Sequence, residues 1–284
     1  MEKILEEELK KSIEYYQRLI DDNPNDAEAY YNLGYVYGGD MMDFSRTIDC
    51  YQNAIACYQK AVEINPNDTK TYLNMGYAYA KLGNYTKEIA CFQKVVEINP
   101  NHADAYFYMG NAYADMENYT KAIACWQKAV EIDSNYVQAY CNIGYTYEEQ
   151  KNYIQAIISY QKALEIDPNY EEAYWAISNA YGKIGNYPEV IACCKKAVEI
   201  DPRDSNSYHN MGDAYYELKN YTEAIVSYQK ALDIDPILKA PIYFNMGYVY
   251  AELGNYAEAR TCYQKAAQLG NEEAQIWLNE NGDK

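Results

Sequence analysis

"LNMGYAYAKLGNYTKEIACFQKVVEINPN", residues 73–101, recurs with small changes along the chain, and its pattern predicts the architecture of the whole protein. A second copy, "FYMGNAYADMENYTKAIACWQKAVEIDSN", occupies residues 107–135, one step of 34 residues further on. Within each copy the apolar residues recur every three or four positions, which predicts amphipathic helices. The chain is therefore expected to be a tandem array of helical repeats, each made of two helices.

Two columns of tyrosine run through the whole array. If the repeated glycine is counted as position eight, positions four and eleven hold Tyr in every one of seven copies, from Tyr30 and Tyr37 to Tyr243 and Tyr250. Position twenty is mostly Ala, position twenty-four mostly aromatic and position thirty-two mostly Pro. This pattern resembles the tetratricopeptide repeat (TPR). The resemblance implies an all-α fold, a right-handed superhelical solenoid of antiparallel helix pairs.

The period also predicts the domain boundaries. We expect an N-terminal capping helix at residues 1–26 and a C-terminal capping helix at 274–284, since the two ends of a stacked array need protection. Between them lie seven repeats, the first of them lengthened by eight residues: 27–68, 69–102, 103–136, 137–170, 171–204, 205–239 and 240–273.

Small residues explain how the paired helices meet. Glycine at position eight allows close approach, and Ser178, which replaces it in one repeat, is expected to fit as well. Between the helices, motifs such as Gly83-Asn84-Tyr85 offer a residue that tolerates positive φ and an asparagine that caps the next helix.

The composition argues against several classes of function. With 24 Lys and Arg against 42 Asp and Glu, the formal net charge is −18, which disfavours nucleic acid and membrane surfaces. The N-terminal residues are acidic rather than apolar, so we expect a soluble, cytoplasmic protein. Five of the eight cysteines recur with the repeat and are expected to be reduced and structural. The chain has two histidines and no phosphate-binding glycine loop, and we expect neither catalysis nor a metal or other cofactor.

The resemblance implies that the first helices line an inner groove, with positions two, six, nine, twelve and thirteen facing a partner. Position six is a row of amides: Asn32, Asn74, Asn142, Asn210 and Asn245. Side-chain amides pair with peptide backbones of any sequence, and the row resembles the asparagine ladder of O-linked N-acetylglucosamine transferases. The alternative is that these asparagines are simply the repeat consensus. Position nine completes the predicted site with Tyr35, Tyr77, Asn111, Tyr145, Asn179, Asp213 and Tyr248, although its tyrosines could instead pack on neighbouring helices.

The charge at the groove positions limits the class of partner that the groove is expected to bind. Acidic residues outnumber lysines at the groove positions by nine to three, which favours a neutral or basic segment. The TPR carboxylate clamp, which holds acidic tails, requires basic residues where this chain has Tyr31, Asp104 and Tyr108. A chaperone-tail binder is therefore disfavoured.

The lengthened first repeat carries the stretch "GGDMMDFSRTIDC", residues 38–50. We interpret it as a second helix extended at its start after a break at Gly38-Gly39, with Ser45 as a candidate cap. Met41, Met42 and Phe44 would then form a short exposed loop, either folded against the N-terminal cap or used for docking.

Three functions remain open from sequence. The first is a scaffold that binds an extended peptide or a partner helix in its groove. The second is a structural protein that self-associates. The third is the recognition arm of a separate enzyme.

Overall fold

The computed structural model describes residues 2–39, 44–235 and 239–281. Sixteen α-helices and no strand occur in these ranges, which confirms the predicted all-α fold of consecutive helix pairs. The helices are α1 Glu2–Asp22, α2 Ala27–Gly39, α3 Phe44–Ile64, α4 Thr69–Lys81, α5 Tyr85–Ile98, α6 Ala103–Asp115, α7 Tyr119–Ile132, α8 Val137–Glu149, α9 Tyr153–Ile166, α10 Glu171–Lys183, α11 Tyr187–Ile200, α12 Ser205–Glu217, α13 Tyr221–Ile234, α14 Lys239–Glu252, α15 Tyr256–Gln268 and α16 Glu272–Glu280.

Contacts divide the chain into two compact units, residues 1–139 and 140–284, which are described separately. In each unit, helices adjacent in sequence pack on one another. The first helices of the pairs are the even-numbered α2 to α14, and the second helices are the odd-numbered α3 to α15. None of the helices in the described ranges combines the length and the apolar character that a membrane span requires.

The turns inside the pairs follow the prediction. Gly83 has a φ of 67°, and the Asn84 side chain accepts a hydrogen bond from the Lys87 amide at 3.3 Å, capping α5. Three other repeats adopt the same left-handed backbone without glycine, at Glu117, Lys151 and Lys219. A side chain in that conformation is strained, because its Cβ crowds the backbone.

Lys219→Gly is therefore expected to raise the free energy of unfolding by about 0.5 kcal/mol. Glycine relieves the backbone strain of the folded state, which stabilises the protein, but it also raises the conformational entropy of the unfolded chain, which destabilises it. The first effect exceeds the second only slightly. Urea unfolding of the variant measures the gain. Lys162→Gly, a substitution inside α9, is the control. It is expected to lower the free energy of unfolding by about 1 kcal/mol. Equal losses of unfolding free energy in the two variants would show that Lys219 is not strained.

In most repeats a glycine of the first helix faces an aromatic ring of the second helix. A Cβ at Gly110, Gly144 or Gly212 would lie under 3.0 Å from ring atoms of the aromatic residue sixteen positions later. These rings are buried: Tyr160 is 0% exposed and Tyr228 1% exposed. The glycine is thus required because the ring occupies the space of its missing side chain.

In one repeat both the glycine and the aromatic ring are replaced by other residues. Ser178 replaces the glycine on α10, and Cys194 replaces the ring on α11; each is 1% exposed. The Ser178 hydroxyl donates to the Trp175 carbonyl at 2.8 Å and lies beside the Cys194 thiol. The predicted fit of Ser178 is confirmed, and its physical reason is that a small thiol replaces the ring opposite it.

The cysteines lie in the packed faces of the helices. Six of the eight are buried, and no disulfide joins those in the described ranges. Burial raises the pKa of the Cys91 and Cys141 thiols to about 12, so both remain protonated at neutral pH. This agrees with the structural role predicted for them.

The lengthened first repeat differs from the prediction in detail. The extended second helix is confirmed, since α3 has 21 residues where α5 has 14. Helix α2 ends at Gly39, in line with the break predicted at Gly38-Gly39. Helix α3 begins at Phe44, so a capping role for Ser45 and a loop position for Phe44 are wrong. Because the apolar period runs back to Phe44, the helix starts earlier than expected. Met41 and Met42 lie outside the described residues.

Helices at both ends cover the core. On α1, Ile20 packs against Ala29 and Leu33 of α2. On α16, the Trp277 ring lies 4.1 Å from the ring of Tyr263, and Ala274 is fully buried. Both contacts exclude water from the terminal pairs.

Candidate functional site

The first helices of residues 140–284 lie along one side of that unit. Helix α10 approaches α12, and α12 approaches α14, in addition to the contacts that each makes with its own second helix. Residues at positions six, nine, twelve and thirteen of these helices border a trough. The structure thus brings Asn179, Asn210, Asp213, Asn245 and Tyr248 to one surface.

Two adjoining cavities form the trough and share Tyr187 and Asp213. The first, the α10 cavity, has a volume of about 450 Å³ and is bordered by Glu148, Gly182 and Lys183. The second, the α12 cavity, has a volume of about 400 Å³. Its lining residues come from α11 to α14: Tyr187, Asp213, Tyr216, Glu217, Tyr228, Asn245 and Tyr248.

Residue size explains the α10 cavity. Ser178 and Cys194 fill less space than an aromatic ring, and Gly182 leaves α10 without a side chain at position twelve. A Cβ at Gly182 would meet only Val190 Cγ2, at 3.9 Å, so no close packing requires this glycine. Small residues at all three positions widen the trough here.

The predicted asparagine ladder is partly paired within the protein. Asn210 Nδ2 donates to Asn179 Oδ1 at 3.1 Å, and Asn245 Nδ2 donates to Asp213 Oδ1 at 3.0 Å. Asn245 Nδ2 also lies 3.2 Å from His209 Nε2. In both pairs, position six of one repeat donates to position nine of the preceding repeat. Amide donors that were expected to face a ligand thus join neighbouring repeats.

Residues 1–139 contain an aromatic version of the same pairing. The ring of Tyr108, at position six, lies 4.8 Å from the ring of Tyr77, at position nine of the preceding repeat. Asn32 and Asn74 are half-buried, and the side chain of Tyr35 lies outside the described residues. The pairing was missed from the sequence because positions six and nine were considered as separate columns. Comparing position nine with position six of the next repeat would have found it.

Polar atoms of the buried aromatic residues also reach the groove positions. Trp126 Nε1 donates to Asn111 Oδ1 at 3.0 Å, and the Tyr228 hydroxyl donates to Asp213 Oδ1 at 2.6 Å. The Tyr160 hydroxyl donates to Glu148 Oε2 at 3.1 Å. Asn111, Asp213 and Glu148 therefore satisfy buried hydrogen-bond donors, a structural role in addition to any contact with a ligand.

The tyrosines at position nine combine packing with exposure. Tyr77 lies against Phe92, with ring centroids 5.5 Å apart, and is half-buried. Tyr145 is 36% exposed and Tyr248 45% exposed, although each rests edge-on against a buried tyrosine. The packing expected as the alternative is therefore observed, while contact of the exposed parts of these rings with a partner stays a prediction. Asn142 is half-buried on the same helix as Tyr145.

Sequence reasoning did not single out two tyrosines of the α12 cavity. Tyr187 begins α11, and Tyr216 occupies position twelve of α12, where five of the other repeats have Ala or Gly and one has Glu148. That departure from a small residue is a signal that the sequence offered.

Carboxylates of the groove take part in internal contacts. Asp104 accepts a hydrogen bond from the Tyr136 hydroxyl at 2.8 Å, and Glu172 accepts one from Tyr170 at 2.9 Å. Burial raises the pKa of Glu148, while Tyr160 and Lys183 act in the opposite direction. In the described ranges, no three His, Cys, Asp or Glu side chains gather as metal ligands would. His102 instead caps α6, its Nδ1 accepting from the Ala105 amide at 3.3 Å.

Solved structures share this fold. MamA is 29% identical, with a TM-score of 0.52, and the match covers 59% of this chain and 98% of MamA. YrrB, described as a TPR protein with an unusual peptide-binding site, is 24% identical, with a TM-score of 0.55 over 63% of this chain and 92% of YrrB. The C-terminal part of a TPR repeat-containing protein from Cytophaga hutchinsonii is 18% identical, with a TM-score of 0.72 over 80% of this chain and 94% of that structure.

No curated protein matches the sequence significantly. Family models match along the chain, and all of them are TPR models rather than models of catalytic domains. The model described as "TPR repeat" matches residues 5–40, 51–83, 110–151 and 212–254, more than half of the chain. Models described as "Tetratricopeptide repeat" match 69–102, 91–124, 137–170, 171–204, 193–226 and 240–272. The chain therefore belongs to the tetratricopeptide repeat family.

Proposed function

We propose that this chain is a protein-interaction scaffold that holds an extended polypeptide segment in the trough of its first helices. The observation that carries the proposal is the pair of adjoining cavities on residues 140–284, bordered by the exposed ring of Tyr248, by the half-buried rings of Tyr187 and Tyr216, and by polar side chains. Protein ligand sites combine apolar walls with a few placed polar groups in this way.

The internal pairing of the amides changes how a segment would be held. Asn210 and Asn245 each use Nδ2 within the protein, so the predicted uniform ladder offers fewer donors than its sequence implied. The likeness to the ladder of O-linked N-acetylglucosamine transferases remains a prediction. We propose that the exposed tyrosines carry most of the contact area, because aromatic rings contribute strongly to binding.

Charge favours a neutral or basic segment. Asp213, Glu217 and Glu148 border the trough, and Lys183 is the basic residue among the described lining of its two cavities. The same fold carries a peptide-binding site in YrrB, although at 24% identity that likeness shows the fold alone.

Photo-crosslinking tests the proposal. A random peptide library is selected on the full chain, and a photoreactive phenylalanine is then placed singly at Tyr145 or Tyr248. We expect the selected peptides to crosslink at both positions. The controls are Ile158 and Val226 on second helices, which are 41% and 53% exposed, and we expect them to give no peptide crosslink.

Other results of this experiment are equally decisive. Peptide crosslinks confined to Ile158 or Val226 would move the site to the second helices and contradict the proposal. Crosslinks from Ile158 to a second copy of the chain, with none to peptide at any position, would favour self-association instead.

A further inference from the structure

The α12 cavity differs from the α10 cavity in its charge. Lys183 borders the α10 cavity and partly offsets the carboxylates of Glu148 and the shared Asp213 there. The α12 cavity has Asp213 and Glu217, and none of its described lining residues is a lysine or an arginine. Burial, followed by the charges of Glu252, Tyr221 and Glu217, raises the pKa of Tyr216.

Asp213 is held in place before any ligand arrives. Its Oδ1 accepts hydrogen bonds from the Tyr228 hydroxyl at 2.6 Å and from Asn245 Nδ2 at 3.0 Å. His209 Nε2 lies 3.7 Å from the same oxygen. These contacts all fall on Oδ1, while the side chain is 47% exposed. A carboxylate that is already fixed loses little entropy when it accepts a donor, and Asp213 borders the trough.

Tyrosine rings supply the remaining walls. Tyr248 is 45% exposed, and Tyr187 and Tyr216 are half-buried beside it. The faces of aromatic rings attract cations, and guanidinium groups stack on them more readily than ammonium groups do. The cavity thus combines carboxylates with ring faces, which is the environment that suits a planar cation.

We propose that the α12 cavity binds the guanidinium group of an arginine side chain carried by the segment in the trough. The proposal rests on the proposed function, since the arginine arrives as part of that segment. Arginine fits better than lysine because its planar donors pair with a carboxylate while its faces contact the rings. Glu217 and Asp213 provide the acceptors, and Tyr248 provides the exposed ring.

The test uses the peptides selected from the random library on the full chain. We expect an arginine at a fixed place among them. In a representative synthetic peptide, replacing that arginine by citrulline, its neutral isostere, is expected to weaken binding to the wild-type chain about tenfold. Replacement by lysine is expected to weaken binding by a smaller factor. Fluorescence anisotropy at about pH 8, where an ordinary histidine is neutral, measures each affinity.

Variants of the chain then test whether the preference for arginine over citrulline arises in the α12 cavity. The double variant Glu217→Gln/Tyr248→Leu is expected to reduce the preference for the arginine peptide over the citrulline peptide from about tenfold to about threefold, since it lacks the exposed ring and one of the two carboxylates but keeps Asp213. Glu165→Gln, an exposed acid on α9, removes the same charge elsewhere and should retain the full preference. Circular dichroism confirms that both variants are folded.

The two proposals fail differently. Peptides that crosslink at Tyr145 and Tyr248 but tolerate citrulline would overturn the arginine pocket and leave the trough as the binding site. An undiminished, about tenfold citrulline effect in Glu217→Gln/Tyr248→Leu would also overturn the pocket. Peptides that crosslink only on second helices would overturn the proposed function, and the arginine pocket with it.

Discussion

Gly144→Ser is expected to lower the free energy of unfolding by about 3 kcal/mol, at the upper end for an overpacked core. The added Cβ would lie under 3.0 Å from three ring atoms of Tyr160. That ring is 0% exposed and its hydroxyl is bonded to Glu148, so it cannot move aside without breaking its own contacts. Urea unfolding, followed by helical circular dichroism, measures the loss.

A second substitution tests the mechanism. Tyr160→Cys alone should destabilise by about 3 kcal/mol or more, because it leaves a cavity and removes the bond to Glu148. Gly144→Ser/Tyr160→Cys reproduces the pair found at Ser178 and Cys194. We expect the double variant to be about as stable as Tyr160→Cys alone, since the clash is gone, so that the two effects are far from additive.

Gly182→Ser is the matched control. This glycine also lies inside a first helix, but a Cβ there would meet only Val190 Cγ2, at 3.9 Å. The substitution should be neutral or slightly stabilising, since serine is a better helix former than glycine. Strictly additive losses in the double variant, or an equal loss at Gly182, would show that the glycine facing the ring has no special role.

Much of this packing could be predicted from the sequence. The spacing between Gly144 and Tyr160 recurs along the chain, so an alignment of the repeats indicates that the glycine and the ring lie close together. Ser178 and Cys194 occupy the same two positions of their own repeat. The turn at Gly83-Asn84 was equally predictable, because its chemistry is local. These features depend on residues within one repeat.

The details of the candidate site depend on contacts between repeats, and these were harder to predict. That Asn210 contacts a ligand stays a prediction, and its bond to Asn179 links residues of two repeats, which no single column of the repeat alignment shows together. The paired role of Asp213 was missed for the same reason. Start positions such as that of α3 were uncertain because a continuous apolar period does not mark where a helix begins.

Glu88 breaks the repeat pattern in a way that makes stability depend on pH. It occupies position twenty, where five repeats have Ala and one has Val, and it is 3% exposed. Its Oε2 is buried without a hydrogen-bond partner among the described residues. Burial, with a smaller contribution from the charge of Asp115, raises its pKa from 4.5 to about 7. A buried, unpaired carboxylate is costly, so the folded protein holds the proton more tightly.

The sign of the effect follows from proton linkage. Below about pH 4.5 the carboxyl is protonated in both states and has no effect on folding through its charge. Between about pH 4.5 and 7 the unfolded chain releases the proton while the folded chain keeps it, so stability falls as pH rises. Above about pH 7 the folded chain is ionised as well, and the destabilisation levels off at about 3 kcal/mol.

Glu88→Ala should therefore stabilise the protein by about 3 kcal/mol near pH 8.5 and by only about 1 kcal/mol near pH 5.5. Urea unfolding across this range measures both, and subtracting the wild-type curve from the variant curve removes the contribution of the other carboxyls. Glu88→Gln, a neutral side chain of the same size, is the control for volume. It should show the same pH-dependent difference with a smaller gain, because its amide is still buried. Parallel curves for the wild type and both variants would mean that Glu88 titrates as an ordinary, solvated carboxyl, and the proposed pH dependence would be wrong.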